Sequence, residues 1–453
     1  MPGHYLGGMA RIALAAFGSL GDLHPFLAVA ETLRTRGHDP VVITHAGHRA
    51  RVERAGIGFA PLRPDISDLG DPAEVMRKAM DRLRGSDYVI RTMTVPWIRR
   101  TTDDVLAGAT GADALVSSSL VLGGGAVAER LGIPWFPAAL QPGVLMSPWD
   151  PPRISLFGWP IVRATRPWSV QVLLRLAALS MLPVMAVLAR LRRDWGLPPD
   201  GSNPLFDSHR RAARFLALYS AHFSPLPPDR RTNTVATGFP FHDEGGDDDL
   251  SPALRAFLAD GEAPVTFTLG SSAVWTAGDF HHVAARVAAE LGVRAVLLVG
   301  EEPGPLPAVL PDGVIAVPYA PHRALFTRSR AIVHQGGIGT TAQALRSGHP
   351  SLVVPFSHDQ PDNGARVAAL GAGLVLARAR LQTNTMRRAL ARLLGEPSFR
   401  AAASRVGEQI RAEDGAGTAA TVIEQGLRAR GGLLYGSPSN SAIPLVPSGK
   451  DPA

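Results

Sequence analysis

The sequence of 453 residues contains no cysteine. Without thiols the chain cannot form disulfides, cannot hold zinc or an iron–sulfur cluster through cysteine, and cannot use a cysteine nucleophile. This composition fits a reducing compartment, so we predict a cytoplasmic protein.

Lysine is nearly absent as well. Lys78 and Lys450 are the only two, and the net charge of +7 comes almost entirely from arginine. A basic balance can indicate nucleic-acid binding, but the chain has no run of five or more basic residues and no aromatic-rich basic motif. We therefore expect no nucleic-acid partner. Anionic small molecules and a membrane surface remain as partners for the positive charge.

Long apolar runs are also missing. The longest uncharged apolar stretch, 176–189, is shorter than a bilayer span and contains Pro183. We expect it to form a buried helix pair in a core. The alternative is contact with a lipid interface through neighbouring arginines: Arg175, Arg190, Arg192 and Arg193. The first ten residues lack a basic segment followed by an apolar stretch, so we interpret them as a loose tail rather than a signal peptide.

Length and periodicity predict two α/β domains. An apolar strand at 11–17 is followed by a glycine turn, a helix over 25–36 and a strand at 40–44. This is the pattern of a βαβ unit with a buried parallel sheet. The second half repeats the plan from a strand at 264–270 onward. The predicted fold class is therefore α/β, with two doubly wound, Rossmann-like domains.

Glycine, aspartate and proline cluster between the two halves. The stretch TGFPFHDEGGDDDL, 237–250, predicts an exposed interdomain linker. It separates an N-terminal domain over 9–236 from a C-terminal domain over 251–430. Residues 431–453 lack periodicity, which predicts a disordered tail.

One segment, VHQGGIGTTAQAL at 333–345, puts a histidine at the end of a buried strand and three glycines before a helix. Ligands bind outside the carboxyl ends of parallel strands. Glycines leave backbone N–H groups uncovered, and a helix N-terminus carries partial positive charge. We predict a phosphate site with His334 as an added donor, formed by these residues: Gly336, Gly337, Ile338, Gly339, Thr340 and Thr341. A tight turn beside a core histidine is the alternative.

A second glycine loop, Gly270-Ser271-Ser272, ends another strand of the same half and favours a diphosphate ligand. Neither loop continues as the Gly-Lys-Ser/Thr of a P-loop, and neither has the Gly-x-Gly-x-x-Gly spacing. ATP and nicotinamide cofactors therefore lack their motifs. No metal-binding cluster is evident in the sequence.

Asp359 and Gln360 follow the next strand and precede a helix. A carboxylate accepts hydrogen bonds and an amide both donates and accepts, so this pair can bind sugar hydroxyls. Helix capping by Asp359 is the alternative.

Together these motifs resemble the donor-binding signature of the inverting GT-B glycosyltransferases that use nucleotide sugars. The matching stretch is HQGGIGTTAQALRSGHPSLVVPFSHDQPDNGARVAALGAG, 334–373. This group includes bacterial macrolide, glycopeptide, sterol and rhamnolipid glycosyltransferases and the UDP-glucuronosyltransferases. The resemblance extends from about Arg11 to about Leu427. Within the group, the motifs YAP and HDQPDN are most similar to those of the rhamnosyltransferase that makes rhamnolipids.

The resemblance implies a UDP- or dTDP-linked sugar as co-substrate and no other cofactor. It assigns donor binding to Gly270, Ser271, Ser272, Tyr319, Ala320, His322, His334, Gly336, Gly337, Ile338, Gly339, Thr340, Asp359 and Gln360. Within that set, Tyr319 to His322 would pack the nucleobase. Plant-type relatives hold the ribose hydroxyls with a glutamate where this chain has Ala342, next to Gln343. A deoxythymidine carrier is therefore at least as plausible as UDP.

The stretch FGSLGDLHPFLAVA, 17–30, ends the first strand of the other half. In the family this loop carries the general base, a histidine in some branches and an aspartate in others. The matching residue is Asp22. His24 is the alternative base, because the ordinary pKa of histidine lies nearer neutral pH. Helix capping by Asp22 is a third interpretation.

The acceptor is expected to lie against residues 147–168 and the helices that follow, where four aromatic residues predict a hydrophobic pocket: Trp149, Phe157, Trp159 and Trp168. The predicted function is transfer of a hexose or deoxyhexose to a hydrophobic alcohol with inversion and without a metal. Two alternatives remain open, a nucleotide-sugar 2-epimerase and a non-catalytic partner protein of another transferase. Peripheral contact with the inner membrane face also remains open.

Overall fold

Two parallel sheets organise the chain. The computed structural model describes residues 8–153, 166–229, 233–243, 245, 249–300 and 305–433. Each sheet is covered by helices on both faces, which confirms the predicted α/β class with two doubly wound domains.

The first sheet has seven parallel strands, β1 (Arg11–Ala15), β2 (Asp39–Thr44), β3 (Gly58–Pro61), β4 (Ala114–Ser118), β5 (Trp135–Ala139), β6 (Phe215–Ala217) and β7 (Thr234–Ala236). Their order is β3-β2-β1-β4-β5-β6-β7. The α-helices among the described residues of this part are α1 (Leu20–Thr35), α2 (Arg49–Arg54), α3 (Pro72–Ala79), α4 (Gly85–Tyr88), α5 (Ile98–Ala109), α6 (Gly124–Leu131), α7 (Pro167–Leu179) and α8 (Leu182–Asp194).

The second sheet has six parallel strands, β8 (Val265–Thr268), β9 (Ala295–Leu298), β10 (Val314–Val317), β11 (Ala331–His334), β12 (Ser351–Val353) and β13 (Gly373–Val375). Their order is β10-β9-β8-β11-β12-β13. The α-helices described in this half of the chain are α9 (Pro252–Ala259), α10 (Gly270–Ala273), α11 (Phe280–Leu291), α12 (His322–Phe326), α13 (Ile338–Ser347), α14 (Gln360–Ala369), α15 (Thr383–Gly395), α16 (Pro397–Arg411) and α17 (Gly415–Leu433).

Both sheets reverse their strand order beside the first strand, between β1 and β4 and between β8 and β11. Such a switch point leaves a crevice outside the carboxyl ends of the strands, where doubly wound proteins bind ligands. In the second sheet His334 pairs in register with Thr268, so the loops after β8 and β11 leave the sheet side by side. The topology therefore brings together the two glycine loops that the sequence singles out.

Helix α1 begins at Leu20, five residues before the predicted start near Pro25. Ser19 caps the helix and Asp22 completes a capping box, which together satisfy the first N–H groups. Pro25 lies inside the helix and cannot donate to the carbonyl of Gly21. The prediction was wrong because it placed the proline at the helix start, although the capping signal precedes it.

The predicted linker is exposed only in part. Residues 237–240 are buried, and Phe239 packs between Phe223 and Phe241. The backbone of Phe239 also meets Gly415, where α17 begins: a Cβ on Gly415 would lie 2.5 Å from the Phe239 carbonyl carbon. This stretch is covered because helix α17 packs on it. Composition alone cannot reveal such a contact between distant parts of the chain.

The predicted boundaries place helix α17 in the C-terminal domain, residues 251–430. Its apolar side chains belong instead to the core beneath the first sheet: Ala419, Ala420, Val422, Ile423 and Leu427. Glu424 pairs with Arg36 and His38 of the first domain. The helix ends at Leu433, inside the predicted tail, and 434–453 lie outside the described residues.

Candidate active site

The two switch points face each other across a cleft. The N-terminus of α13 in the second domain lies against the start of α1 in the first. A Cβ on Gly339 would be 3.5 Å from Cα of Gly21. The predicted donor loop and the predicted base loop therefore form opposite walls of one site.

His334 closes β11 and is completely buried. The N–H of Gly336 donates to its Nδ1 at 3.1 Å, so the ring hydrogen is on Nε2. Burial lowers the pKa of His334 to about 3, and the imidazole is neutral at physiological pH. Nε2 is buried and has no hydrogen-bond partner among the described residues. This N–H group is therefore available to donate a hydrogen bond to a phosphate oxygen.

The backbone N–H groups without an acceptor begin later in the chain than expected. Gly336 was predicted to expose its N–H, but that group is occupied by His334. Gly336 is required for packing, because its φ is +91° and a Cβ would approach Val353 Cγ1 to 2.7 Å. Gly337 caps α13, and Thr341 N–H is the first to bond back along the helix, to the Gly337 carbonyl. The N–H groups of Ile338, Gly339 and Thr340 have no acceptor among the described residues.

Gln335 and Thr341 add two polar groups that the sequence argument did not use fully. The Gln335 amide donates weakly to Thr340 Oγ1 at 3.4 Å, and its Oε1 is buried without a partner. Thr341 Oγ1 is likewise buried and unpartnered among the described residues. Because buried polar groups are normally hydrogen-bonded, this cluster offers unpaired polar atoms that a bound ligand would satisfy. In the sequence, the signal for Gln335 was its position directly after His334.

The second glycine loop is a short helical turn, α10, and it touches the first. A Cβ on Gly270 would lie 2.3 Å from Gln335 Nε2 and 3.4 Å from Thr340 Oγ1. Ser271 is exposed and Ser272 is half-buried. The adjacency of the loops was expected from the strand ends, and the sheet order explains it.

Asp359 and Gln360 begin α14 beside the same loops. Asn363 Nδ2 donates to Asp359 Oδ2 at 2.6 Å and to the Gly336 carbonyl at 2.9 Å, which ties α14 to the donor loop. Gln360 was expected both to accept and to donate toward a sugar. Its Oε1 instead accepts from the N–H groups of Phe356 and Ser357, at 2.8 Å and 3.0 Å, so only the amide nitrogen is left for a ligand.

Asp22 lies on the opposite wall. The Ser19 N–H and hydroxyl both donate to its Oδ2, at 2.8 Å and 3.0 Å, so the capping role is present. No described residue donates to Oδ1. Burial raises the pKa of Asp22. The same cause raises the pKa of Asp359 to about 7, and the negative charge of Asp22 adds to this rise. The two carboxyls therefore interact across the cleft.

Histidines from both domains and from the linker lie beside the site. The rings of His24 and His242 are 5.4 Å apart, and His242 pairs with Glu31 at 2.9 Å. His322 begins α12 and stacks on Phe326 with ring centroids 4.5 Å apart. Burial, with a smaller effect of His24, lowers the pKa of His322 to about 4. His24 thus lies near the predicted nucleobase segment, in which Tyr319 is exposed and Ala320 is buried.

Comparisons with known proteins agree with this geometry. Residues 12–145 match the glycosyltransferase family 28 N-terminal domain, and residues 283–425 match the erythromycin biosynthesis protein CIII-like C-terminal domain. The O-mycaminosyltylonolide 6-deoxyallosyltransferase of Streptomyces fradiae is 30% identical over 441 residues, which cover 92% of this chain and 97% of that enzyme. The chain belongs to this glycosyltransferase family.

More distant relatives extend the family and the fold. Sterol 3-beta-glucosyltransferase of Aspergillus fumigatus is 28% identical over 455 residues, and the chain spans 31% of its length. Spinosyn forosaminyltransferase SpnP and glycosyltransferase VinC in complex with dTDP superpose with TM-scores of 0.68 and 0.66 at 19% and 20% identity. Each superposition covers 92% of this chain. It also covers 99% of SpnP and 100% of VinC. The predicted GT-B architecture is confirmed. The epimerase and partner-protein alternatives are not favoured, since these relatives are named as transferases.

A buried ion-pair network holds the two domains of the glycosyltransferase together beside the site. Arg366 donates to Asp362 at 2.9 Å on its own helix, and across the cleft to Asp150 and Ser224. The backbone N–H of Arg153 also donates to Asp362. Sequence reasoning missed this network because Asp150 and Ser224 are more than 140 residues from Arg366 in the chain.

The residues predicted to form an aromatic acceptor pocket are not gathered in one pocket among the described residues. Phe157 and Trp159 lie outside the described residues, while Trp149 and Trp168 are 59% and 66% exposed. A cavity of about 370 Å³ opens nearby, and its lining includes Leu145, Met146, Gln171, Leu174, Arg175 and Phe206. Neither described tryptophan lines it, because both side chains lie on the surface.

Proposed function

We propose that this glycosyltransferase moves a hexose or deoxyhexose from a UDP- or dTDP-linked donor to a hydroxyl of a hydrophobic acceptor, with inversion and without a metal. The observation that carries the proposal is the opposition of Asp22 to the donor loop, with Asp359 close enough for their charges to interact. A carboxylate on one wall and uncovered N–H donors on the other are the two parts that glycosyl transfer from a diphosphate needs.

The reaction needs a base and a stabilised leaving group. Asp22 Oδ1 takes the proton of the acceptor hydroxyl, and the acceptor oxygen then bonds to the anomeric carbon. The bond from that carbon to the diphosphate oxygen breaks on the opposite face, so the centre inverts. The raised pKa of Asp22 suits this role, because a base is most effective when its pKa approaches the working pH. The departing charge is received by His334 Nε2–H and the first N–H groups of α13.

The donor is tested first. A thermal-shift panel of UDP- and dTDP-sugars should identify a stabilising ligand, since a ligand that binds only the folded chain raises its stability. We expect dTDP-sugars to bind at least as well as UDP-sugars. Ala342 is buried at the position of the ribose-binding glutamate, and Gln343 is within hydrogen-bond distance of Asp243. His334→Ala should weaken nucleoside diphosphate binding about 10- to 100-fold in calorimetry. Unchanged affinity would remove His334 from the donor site.

The base is tested with Asp22→Asn, which keeps an oxygen that can accept from Ser19 while removing the proton acceptor. We expect the transfer rate to fall by about 10²–10⁴-fold with donor affinity unchanged. The matched control is Ser19→Ala, which removes the hydroxyl cap and leaves the carboxylate. It should cost about 0.5–2 kcal/mol of stability and affect turnover much less.

The two variants separate the two roles of Asp22. If both lose activity in proportion to their lost stability, capping is the whole role of Asp22. If Asp22→Asn keeps its turnover, His24→Ala becomes the test for the base.

A further inference from the structure

Helices α7 and α8 meet at a bend of 52°, and this bent pair, here called the hairpin, carries an exposed apolar surface. Six large side chains form this hairpin surface: Trp168, Val172, Leu173, Leu176, Leu179 and Leu182. The hairpin was expected to be a buried helix pair, yet Leu176, Leu179 and Leu182 are 58%, 57% and 55% exposed. Contiguous exposed apolar patches are rare on proteins that work free in water, so this one needs a partner.

The surface is a continuous helix face and not scattered leucines. Trp168, Val172, Leu176 and Leu179 follow each other at intervals of four, four and three residues, which places them on one side of α7. The opposite side of α7 is buried through Val170, Leu174 and Ala177. The hairpin is therefore anchored to the first domain by one face while the other remains uncovered by the described part of the chain.

Positive charge surrounds the hairpin surface. Four exposed arginines flank it: Arg166, Arg175, Arg190 and Arg193. No salt bridge within the described part of the chain involves any of them. The sequence contains no aspartate or glutamate between Asp150 and Asp194. An apolar stripe bordered by arginine matches a surface that is apolar inside and anionic at its rim.

The hairpin fits on such a surface and does not cross it. No single helix among the described residues is long and apolar enough to span a membrane, and only the bent α7–α8 pair passes the length and composition test. Each helix has 13 residues, or about 20 Å, against a hydrocarbon core of about 30 Å. The 52° bend between them also prevents a straight span. The orientation that remains for α7 and α8 is one in the plane of the membrane–water interface.

A second copy of the chain is a poor occupant by comparison. In a two-fold dimer the same patch lies on both subunits, so the arginine rims would face each other. Like charges in contact oppose association, whereas anionic headgroups neutralise the rim.

We propose that the hairpin surface docks this protein on an anionic lipid bilayer, with its leucines and Trp168 at the boundary between headgroups and acyl chains. This inference goes beyond the proposed function. Vesicle binding needs neither donor nor acceptor, so it can be tested independently of transfer.

The test is co-sedimentation of the full chain with two kinds of vesicle, one of phosphatidylcholine alone and one of equal parts phosphatidylcholine and phosphatidylglycerol. The wild-type chain should bind the anionic vesicles about 600-fold more tightly, since each of the four arginines near the surface contributes about fivefold. Arg166→Gln/Arg190→Gln should lose about thirtyfold of that affinity, and high salt should weaken binding of the wild type.

The apolar face is tested with Leu176→Glu/Leu179→Glu, both at exposed positions. Binding to anionic vesicles should fall by at least about a hundredfold. The matched control is Met9→Glu/Val309→Glu, which adds the same charge at side chains that are 78% and 83% exposed elsewhere. The control should lose far less binding, and circular dichroism should show both variants folded.

Three results would overturn the proposal. The first is absence of binding to anionic vesicles by the wild type. The second is equal loss in the Leu176→Glu/Leu179→Glu variant and its control. The third is a lipid-free wild-type dimer that this variant converts to a monomer, which would make the hairpin surface an interface between copies.

Discussion

The raised pKa of Asp359 makes a measurable prediction about stability. The carboxyl stands at the cleft between the domains, where burial and the charge of Asp22 raise its pKa from 3.8 to about 7. Ionising it in the folded protein therefore costs up to about 4 kcal/mol more than in the unfolded chain. Because Asp359 is only partly covered, water at the cleft reduces this cost, and we expect about 2 kcal/mol.

The sign follows from proton binding. Between about pH 4 and pH 7 the folded chain keeps the Asp359 proton while the unfolded chain has lost it, so wild-type stability falls as pH rises through this range. Asp359→Asn removes the titration but retains an oxygen that can accept from Asn363. The variant should match the wild type in stability near pH 4 and exceed it by about 2 kcal/mol at pH 8.

Thermal unfolding measured across this pH range checks the prediction. A gain of about 2 kcal/mol in a domain of this size raises the melting temperature by about 5 °C at pH 8. The control is Asp103→Asn at an exposed aspartate of α5, which should leave the pH dependence of the wild type unchanged. If the difference between Asp359→Asn and the wild type is the same at both ends of the range, the carboxyl is not enclosed as described and the reasoning fails.

Two further predictions concern packing at the site. Gly336→Ala should destabilise the protein by about 2–4 kcal/mol, because its Cβ would press on Val353, whereas Gly37→Ala, with a similar φ of +87° and open space around it, should cost only the backbone strain. Equal losses in denaturant unfolding would show that the clash does not occur. Arg366→Met should cost about 3–5 kcal/mol by leaving two carboxylates without their cation, and a loss below about 1 kcal/mol would show that water replaces the arginine.

Local patterns predicted the positions of the two glycine loops well. Continuous apolar strands of the kind found in parallel sheets ended at His334 and before Gly270, and the structure ends β11 and β8 there. The reason is physical: a buried strand needs an unbroken apolar run, and its end is marked by residues that cannot continue it. The start of α1 was also available in principle, because Ser19 and Asp22 have the capping-box spacing.

Other features depended on distant partners and could not be inferred locally. Gly336 was expected to serve a ligand but serves packing against Val353, and the Gln360 carbonyl is taken up by two backbone N–H groups. The role of Asn363 depends on a carbonyl 27 residues away. Such assignments require knowing which groups meet, and spacing along the chain does not contain that information.

The sequence by itself determined two doubly wound halves, the position of the histidine and glycines at a strand end, and an aspartate at the matching end of the other half. These follow from hydrophobic period and turn chemistry, which act over a few residues. Tertiary structure alone decided that α17 returns to the first domain, that Arg366 joins the halves, and that Asp22 and Asp359 perturb each other. Each of these depends on electrostatics or packing between residues far apart in the chain, and such forces exist only once the fold has brought those residues together.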